Sequence, residues 1–188
     1  MEADMPLFRK SAPQDPLIVA MTGARLGHRV LVLMADDAEM PVDLAAKVGL
    51  SGQTVVAAAS TDAVARVSGR AERRGVLVEA AVLETPIPYG DATFDIVVAD
   101  DRRQPVGTRT TPALLADSFR VARPGGRLVI LRPVPRSSWF FSREPASNAL
   151  AGLRSLEQEL VAAGFRAVRE IGTREGTRFV EAARSALS

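Results

Sequence analysis

The chain has 188 residues, and its 24 Lys and Arg residues against 22 Asp and Glu residues give a formal charge of +2. This length suits one domain, and a composition that is 47% hydrophobic and 24% charged is typical of a folded chain rather than a disordered one. With no cysteine and a single histidine, His28, the sequence excludes disulfides, thiolate metal sites, iron–sulfur clusters and centres built from several histidines.

The sequence also bears on location and partners. No apolar stretch approaches the ~18 residues that a membrane helix needs, and the first residues show no apolar run behind a basic region. We therefore expect a cytoplasmic protein with no membrane partner. The arginine pairs 73–74 and 102–103 are separated by neutral or acidic sequence, which disfavours a nucleic-acid surface and favours ordinary solvated surface.

The first predicted elements form one strand–helix unit. Residues 1–15 are expected to be an N-terminal arm, and residues 16–188 a single domain. Residues 29–34 are a continuous apolar run of strand length, typical of a sheet that is covered on both faces. Apolar residues then recur near helical spacing over residues 42–48 and stop at Gly49, which is suited to a helix C-terminus.

The same alternation continues along the chain and predicts an α/β fold. Further strands are predicted at residues 54–59, 76–82, 93–99 and 127–131, and further helices at residues 61–74, 111–122 and 146–163. The strands at 165–171 and 177–182 are joined by a short loop, which makes them antiparallel. The pattern predicts a mostly parallel, seven-stranded sheet with helices on both faces and an antiparallel strand near one edge.

Two segments carry a resemblance to a known family. Residues 87–95 read IPYGDATFD and residues 119–130 read FRVARPGGRLVI. They are similar to the LPFPDGSFDLVV and RVLKPGGRLVI segments of class I S-adenosylmethionine-dependent methyltransferases of type 11. The order of elements is compatible with that family from about Leu17 to Arg184. The resemblance implies the Rossmann-like methyltransferase fold and S-adenosylmethionine as the cofactor.

The family's glycine-rich cofactor loop can be compared residue by residue. Residues 30–38 read VLVLMADDA where the family reads VLDLGCGTG, so the three glycine positions hold Met34, Asp36 and Ala38. Glycine lets backbone N–H groups approach the cofactor at a helix N-terminus that favours its carboxylate. Asp36 places a negative charge beside the position of the cofactor carboxylate. The repulsion between the two carboxylates, about 1 kcal/mol in water and several times that where water is excluded, is expected to weaken cofactor binding tenfold or more.

The other cofactor-binding positions that the resemblance implies are also altered. Ala59 stands where the family has an acidic residue for the ribose hydroxyls, with Ser60 beside it, and without a gap Leu83 stands where an acidic residue faces the adenine. A one-residue bulge would instead bring the neighbouring Glu84 to that position. Asp100 follows strand four and is expected to line the same pocket. The framework and turn residues are therefore present, whereas the polar groups that would hold the cofactor are missing, which indicates a degenerate site.

Four aspartates follow the two central strands of the predicted sheet. They are Asp36, Asp37, Asp100 and Asp101. If they converge, their oxygen atoms suit Mg²⁺, Ca²⁺ or an amine ligand. In the alternative, neighbouring side chains point apart, cap helix starts and pair with nearby arginines. Those arginines are Arg102, Arg103 and Arg132.

The aromatic residues 139–141 lie in a Pro-rich connection after strand five. They are expected to pack locally, to cover a ligand or to form a dimer contact. The segment after strand four, residues 99–105, lacks the Asn/Asp-Pro-Pro-aromatic motif of family members that methylate amino groups, which disfavours a nucleobase substrate.

Two functional hypotheses follow. The first is a methyltransferase-like domain with weak or absent cofactor binding, which serves as a scaffold or binds a small molecule, a protein partner or a second copy of itself. The alternative is an active S-adenosylmethionine-dependent methyltransferase that acts on a small molecule mainly by proximity. The sequence identifies no catalytic residue.

Overall fold

The structure is a computed structural model that describes residues 16–103, 110–134 and 146–186. The predicted N-terminal arm, residues 1–15, and the aromatic residues 139–141 lie outside the described residues, as do residues 104–109. None of the described helices combines the length and the apolar character needed to cross a bilayer.

Seven strands form a single sheet. They are β1 (Arg29–Ala35), β2 (Gln53–Ala58), β3 (Glu79–Val82), β4 (Phe94–Asp100), β5 (Ala122–Pro133), β6 (Arg166–Arg174) and β7 (Thr177–Ala183). Their order across the sheet is β3-β2-β1-β4-β5-β7-β6, and β7 is antiparallel to both of its neighbours while the other pairs are parallel. The predicted sheet, with its antiparallel strand next to one edge, is confirmed.

Five helices of the described chain cover the two faces of the sheet. They are α1 (Leu17–Thr22), α2 (Glu39–Val48), α3 (Thr61–Arg74), α4 (Pro112–Val121) and α5 (Ala146–Ala162). Along β1, Leu31 and Leu33 belong to the core layer that contains buried residues of α4 and α5. Val30 and Val32 point to the other layer, which contains residues of α1, α2 and α3. Because both faces are buried, β1 from Val30 onward and the whole of β4 are buried at successive positions rather than at alternate ones, and their residues are mostly apolar.

Three elements, α1, β3 and β5, differ from the sequence-based predictions. Helix α1 was not predicted, since six residues are too few to show a helical period. Strand β3 begins at Glu79 rather than at Val76, because the Val76 N–H donates to the Ala71 carbonyl and completes the cap of α3. Strand β5 includes the Pro-Gly-Gly turn as a bulge, and Gly125 sits there at φ +78°.

The segment that carries the first sequence resemblance is anchored by helix α4. Asp117 accepts a hydrogen bond from the Ile87 N–H. Arg120 donates to the carbonyls of Ile87 (2.9 Å) and Tyr89 (2.6 Å), and it pairs with Asp117 and Asp91. The turn between β3 and β4 is thereby fixed to the helix that follows β4.

Candidate functional site

The chain order reverses between β1 and β4. From β1 the sheet runs outward through β2 and β3 on one side, and from β4 through β5 on the other. Open sheets of this kind bind ligands beyond the carboxyl ends of the strands at such a switch point. We call this space, between Asp37 after β1 and Asp100 at the end of β4, the carboxyl-end crevice.

Met34 forms a bend at the end of β1. It adopts φ +61°, and the pairing of β1 with β2 shifts between Leu33 and Ala35. A left-handed conformation costs a residue with a side chain roughly 1–2 kcal/mol and costs glycine almost nothing. The Met34 side chain is buried in the layer beneath α4 and α5. The bend expected of the first glycine position is therefore present, with a bulky side chain in place of the glycine.

Asp37 caps the helix that follows the bend. Its Oδ1 atom accepts hydrogen bonds from the backbone N–H groups of Glu39 (3.2 Å) and Met40 (3.4 Å), the first residues of α2. Ala38, at the third glycine position, is the residue before α2, and its carbonyl accepts from the Val42 N–H at 3.3 Å. The N–H groups at this helix start therefore already have a carboxylate partner within the chain.

Arg102 spans the carboxyl-end crevice. Its Nε and Nη2 atoms donate to Oδ1 (2.8 Å) and Oδ2 (2.7 Å) of Asp100, and Nη2 also reaches Oδ2 of Asp37 at 3.1 Å. The three side chains are 16%, 4% and 19% exposed for Arg102, Asp100 and Asp37. This arrangement links the ends of β1 and β4 through one partly buried guanidinium group.

Electrostatics keep Arg102 charged. Burial disfavours the charged guanidinium, but the hydrogen bonds and negative charge of Asp100, together with those of Asp37, outweigh it. The pKa of Arg102 is therefore raised above its ordinary value. A second arginine side chain, Arg103, approaches Asp37 at 3.7 Å and is largely exposed.

The other two predicted aspartates point away from this cluster. Asp36 pairs with Arg66 of α3 at 3.0 Å, and Arg66 also donates to the Asp36 carbonyl. Asp101 is fully buried, where Oδ1 accepts from the N–H and hydroxyl of Thr110 and Oδ2 lies 3.3 Å from Arg132. The structure brings Asp37 and Asp100 together and sends Asp36 and Asp101 elsewhere. Among the described residues no group of three or more acidic or histidine side chains is positioned to hold a metal ion.

The rim at β2 and β3 supplies no acidic group at the predicted positions. Ala59 is exposed, and its N–H donates to the Ala35 carbonyl at 3.1 Å. Ser60 caps α3 by accepting from the Ala63 N–H. Leu83 is half-buried against the core, and its N–H donates to the Ala58 carbonyl at 2.8 Å. These positions serve the fold through backbone hydrogen bonds and helix capping.

A row of ion pairs between α2 and α3 was not anticipated. Besides Arg66, the α3 residue Arg70 pairs with Glu39 at 2.8 Å, and Arg74 lies 3.7 Å from Asp43. The signal in the sequence is arginine at intervals of four residues in the α3 segment, opposite acidic residues at similar spacing in the preceding helix. An open cleft of about 530 Å³ beside these pairs is lined by Asp36, Asp37, Ala38, Glu39, Arg66, Arg70, Arg73 and Arg103.

Comparison with known proteins agrees with the fold and the sequence. Residues 39–130 match a family model described as a methyltransferase domain. The ubiquinone/menaquinone biosynthesis C-methyltransferase UbiE of Pasteurella multocida (strain Pm70) is 32% identical over 115 residues, which are 58% of this chain and 41% of that protein. The chain thus spans about two fifths of the length of this curated relative.

Solved structures of low sequence identity share the fold. A S-adenosylmethionine-dependent methyltransferase from Aquifex aeolicus has a TM-score of 0.69 at 20% identity and covers 89% of this chain and 88% of its own. The [4+2]-cyclase SpnF has a TM-score of 0.65 at 18% identity and covers 91% of this chain and 79% of its own.

The strand order and the switch-point crevice give the chain the Rossmann-like methyltransferase fold that the solved structures share. The family match over residues 39–130 and the C-methyltransferase relative support the class I S-adenosylmethionine-dependent methyltransferase superfamily for this chain.

Proposed function

We propose that this chain is a methyltransferase-like domain with weak or absent S-adenosylmethionine binding, which serves as a scaffold or as a binding module for a partner or another ligand. The observation that carries the proposal is the Asp37–Arg102–Asp100 ion-pair cluster across the carboxyl-end crevice. A methyltransferase of this fold requires the same space for its cofactor.

The residues of the crevice do not fit this cofactor. Its carboxylate would approach the start of α2, where the Asp37 carboxylate already accepts from the first N–H groups. Asp37, Arg102 and Asp100 together carry one net negative charge, which Arg103, 3.7 Å from Asp37, offsets only from its largely exposed position. A second anion therefore meets repulsion of about 1 kcal/mol in water, and several times that where water is excluded.

The nucleoside end of the cofactor also lacks its partners. Ala59 and Leu83 cannot accept hydrogen bonds from a ribose or an adenine through their side chains. The Met34 side chain fills a position where close backbone approach calls for glycine. These residues therefore do not accommodate S-adenosylmethionine.

An active methyltransferase acting on a small molecule is the second candidate. The observation that favours it is the match to a C-methyltransferase over 115 residues at 32% identity, together with the retained turn segments of the family. In that case catalysis would rest mainly on proximity, because the described crevice offers no general base beyond carboxylates already paired with arginine.

Titration calorimetry separates the two candidates. We expect no heat from the wild-type protein with S-adenosylmethionine or S-adenosylhomocysteine up to millimolar ligand. A Kd in the micromolar range would overturn the proposal and support the enzyme. The double variant Arg102→Met/Asp100→Asn removes the ion pair across the crevice and leaves Asp37 with Arg103 and the N–H groups of α2 as partners. A gain of binding in this variant would identify the ion pair as the obstacle.

A titration with Mg²⁺ tests the predicted cation site. Of the four predicted ligands, Asp37 and Asp100 lie together, so an increase in the thermal midpoint that depends on Mg²⁺ concentration and disappears in Asp37→Asn would support a cation at these two. The proposal also includes a cytoplasmic location, a small molecule, a protein or a second copy as the partner, and no nucleic-acid or membrane partner. Size measurement tests whether the chain binds a second copy of itself, and pull-down with purified candidates tests the other partners.

A further inference from the structure

Two arginine side chains lie directly opposite each other on neighbouring strands. Arg132 of β5 and Arg178 of β7 are partners in the antiparallel register. Side chains at opposite positions of such a pair extend from the same face of the sheet, and their Cβ atoms are about 4.5–5.5 Å apart. We call these two residues the arginine pair. It lies near the carboxyl end of β5, at the end of the sheet where folds of this kind bind ligands.

The arginine pair lies on the sheet face that α4 and α5 cover. Side chains alternate along a strand, so Arg132 shares a face with Ile130, and Arg178 shares a face with Val180. Ile130 and Val180 both belong to the core layer that contains residues of α4 and α5. By the same alternation, Asp100 of the ion-pair cluster extends from the opposite face, where α1, α2 and α3 pack. The arginine pair is therefore separate from that cluster.

Each arginine of the pair has one carboxylate beside its Nε atom. Arg132 Nε donates to Oδ2 of the fully buried Asp101 at 3.3 Å. Arg178 Nε lies 3.4 Å from Oε2 of Glu170, but this contact is not a hydrogen bond. Asp101 and Glu170 together balance the two positive charges, and neither carboxylate hydrogen-bonds the Nη atoms at the ends of the arginines.

The Nη atoms of the arginine pair are available to a ligand. No described residue accepts a hydrogen bond from them. They are also accessible, because the one nitrogen of the pair that is both buried and unpaired is Arg178 Nε. The side chains of Arg132 and Arg178 are 22% and 23% exposed.

An anion would complete this arrangement. Like charges that lie directly opposite each other in a sheet are destabilising, and an anion between the two guanidinium groups would offset their repulsion. A hydrogen bond from an arginine to a carboxylate or a phosphate is roughly twice as strong as a bond between neutral groups. Such groups match the fork of N–H donors at the end of an arginine side chain.

We propose that the arginine pair binds the carboxylate or phosphate group of a small molecule. The oxygen atoms of this group accept hydrogen bonds from the Nη atoms of both Arg132 and Arg178, while Asp101 and Glu170 hold the Nε sides of the two guanidinium groups in place. The inference gives the chemical class of the other ligand in the proposed function, and it rests on that function in this respect.

Three small aromatic probes test the requirement for negative charge. Benzoate carries a carboxylate, phenyl phosphate carries a phosphate, and benzamide is the neutral analogue of benzoate. Binding to the full chain is measured from the NMR shifts of the arginine Nε–H groups and of the backbone amides of β5 and β7. We expect both anions to shift the signals of Arg132 and Arg178, and benzamide to shift neither. The anion with the lower Kd identifies the ligand as a phosphate ester or as a carboxylate.

Charge-removing variants test the location. Arg178→Gln is expected to weaken both anions at least about fivefold, because it removes one charged donor group from the site. Arg25→Gln removes the same charge at an exposed position before β1, at the other end of the sheet, and is the matched control. It is expected to change both affinities by less than about twofold. Arg132 is kept, because its loss would leave the buried Asp101 without a counter-charge.

A variant that gains affinity separates binding from a structural effect. Glu170→Gln removes the carboxylate beside Arg178, and its side-chain carbonyl is still able to accept the hydrogen bond that Thr173 donates at 2.9 Å. We expect it to strengthen the binding of both anions about 2- to 5-fold, because one competing negative charge is lost. A distortion of the β6–β7 hairpin would weaken binding instead. Urea unfolding verifies that each variant is folded.

Three outcomes would overturn the inference. They are the absence of shifts at Arg132 and Arg178 with either anion at millimolar concentration, equal shifts with benzamide, and unchanged affinities in Arg178→Gln. The failure of the proposed function has a different signature. A micromolar Kd for S-adenosylmethionine would overturn that function, and the arginine pair would still bind benzoate or phenyl phosphate in the absence of the cofactor.

Discussion

Arg102 is the residue whose replacement most directly tests the ion-pair cluster across the carboxyl-end crevice. The substitution Arg102→Met keeps the length of the side chain and removes the guanidinium group. Asp100, which is almost fully buried, then loses both of its side-chain hydrogen bonds and its counter-charge. Removing one partner of a buried ion pair typically costs about 3–5 kcal/mol, because the remaining charge is left without compensation.

The structure indicates the lower end of that range. The Arg102 backbone N–H still donates to Asp100 at 3.2 Å in the variant, and Asp37 keeps its two helix N–H partners. We therefore expect the free energy of unfolding to fall by about 3 kcal/mol, which is a large part of the 5–15 kcal/mol typical of a domain. Urea unfolding followed by far-ultraviolet circular dichroism measures this loss.

A double-mutant cycle identifies the cause of the loss. Asp100→Asn in the Arg102→Met background removes the uncompensated charge and is expected to recover about 1–2 kcal/mol. Arg154→Met, on the exposed surface of α5, is the matched control and is expected to change stability by less than about 0.5 kcal/mol. A loss below about 1 kcal/mol in Arg102→Met, or no recovery in the double variant, would refute the assigned role of the ion pair.

Three further predictions concern the bend, the anchored turn and the tyrosine. Met34 has φ +61°, so in urea unfolding Met34→Gly should be more stable than Met34→Ala by about 1 kcal/mol, the reverse of the usual order. Both variants should be less stable than the wild type. A Met34→Ala variant as stable as Met34→Gly would contradict the left-handed bend. Arg120→Lys should cost about 1–2 kcal/mol in the same assay, since one ammonium group cannot replace the forked contacts to Ile87, Tyr89 and Asp117; a neutral result would show that the turn needs no anchor. Burial, the hydrogen bond to Glu79 and the negative charge of Glu79 raise the pKa of Tyr89 to about 12, so the absorbance of this single tyrosine should titrate near that value. The stability that the neutral phenol contributes is fully present below pH 10 and should be lost as the pH rises through 12. Titration near pH 10 in the folded protein would contradict the contact.

The sequence by itself determined the order of elements, the parallel sheet and the superfamily. These features depend on patterns that are local in the chain, such as the apolar run at residues 29–34 and the glycine that ends α2. A continuous apolar run indicates a strand that is buried on both faces, and in the helices the spacing of the apolar residues decides which face is buried. The short helix α1 and the bulge in β5 were not found, because neither produces a regular period.

Only the tertiary structure decided what the charged residues at the strand ends do. Asp36 and Asp37 are neighbours in the chain, yet one pairs with Arg66 on α3 and the other with Arg102 after β4. Sequence analysis placed all four aspartates at the same end of the sheet, but the direction of each side chain depends on contacts between residues that are distant in sequence.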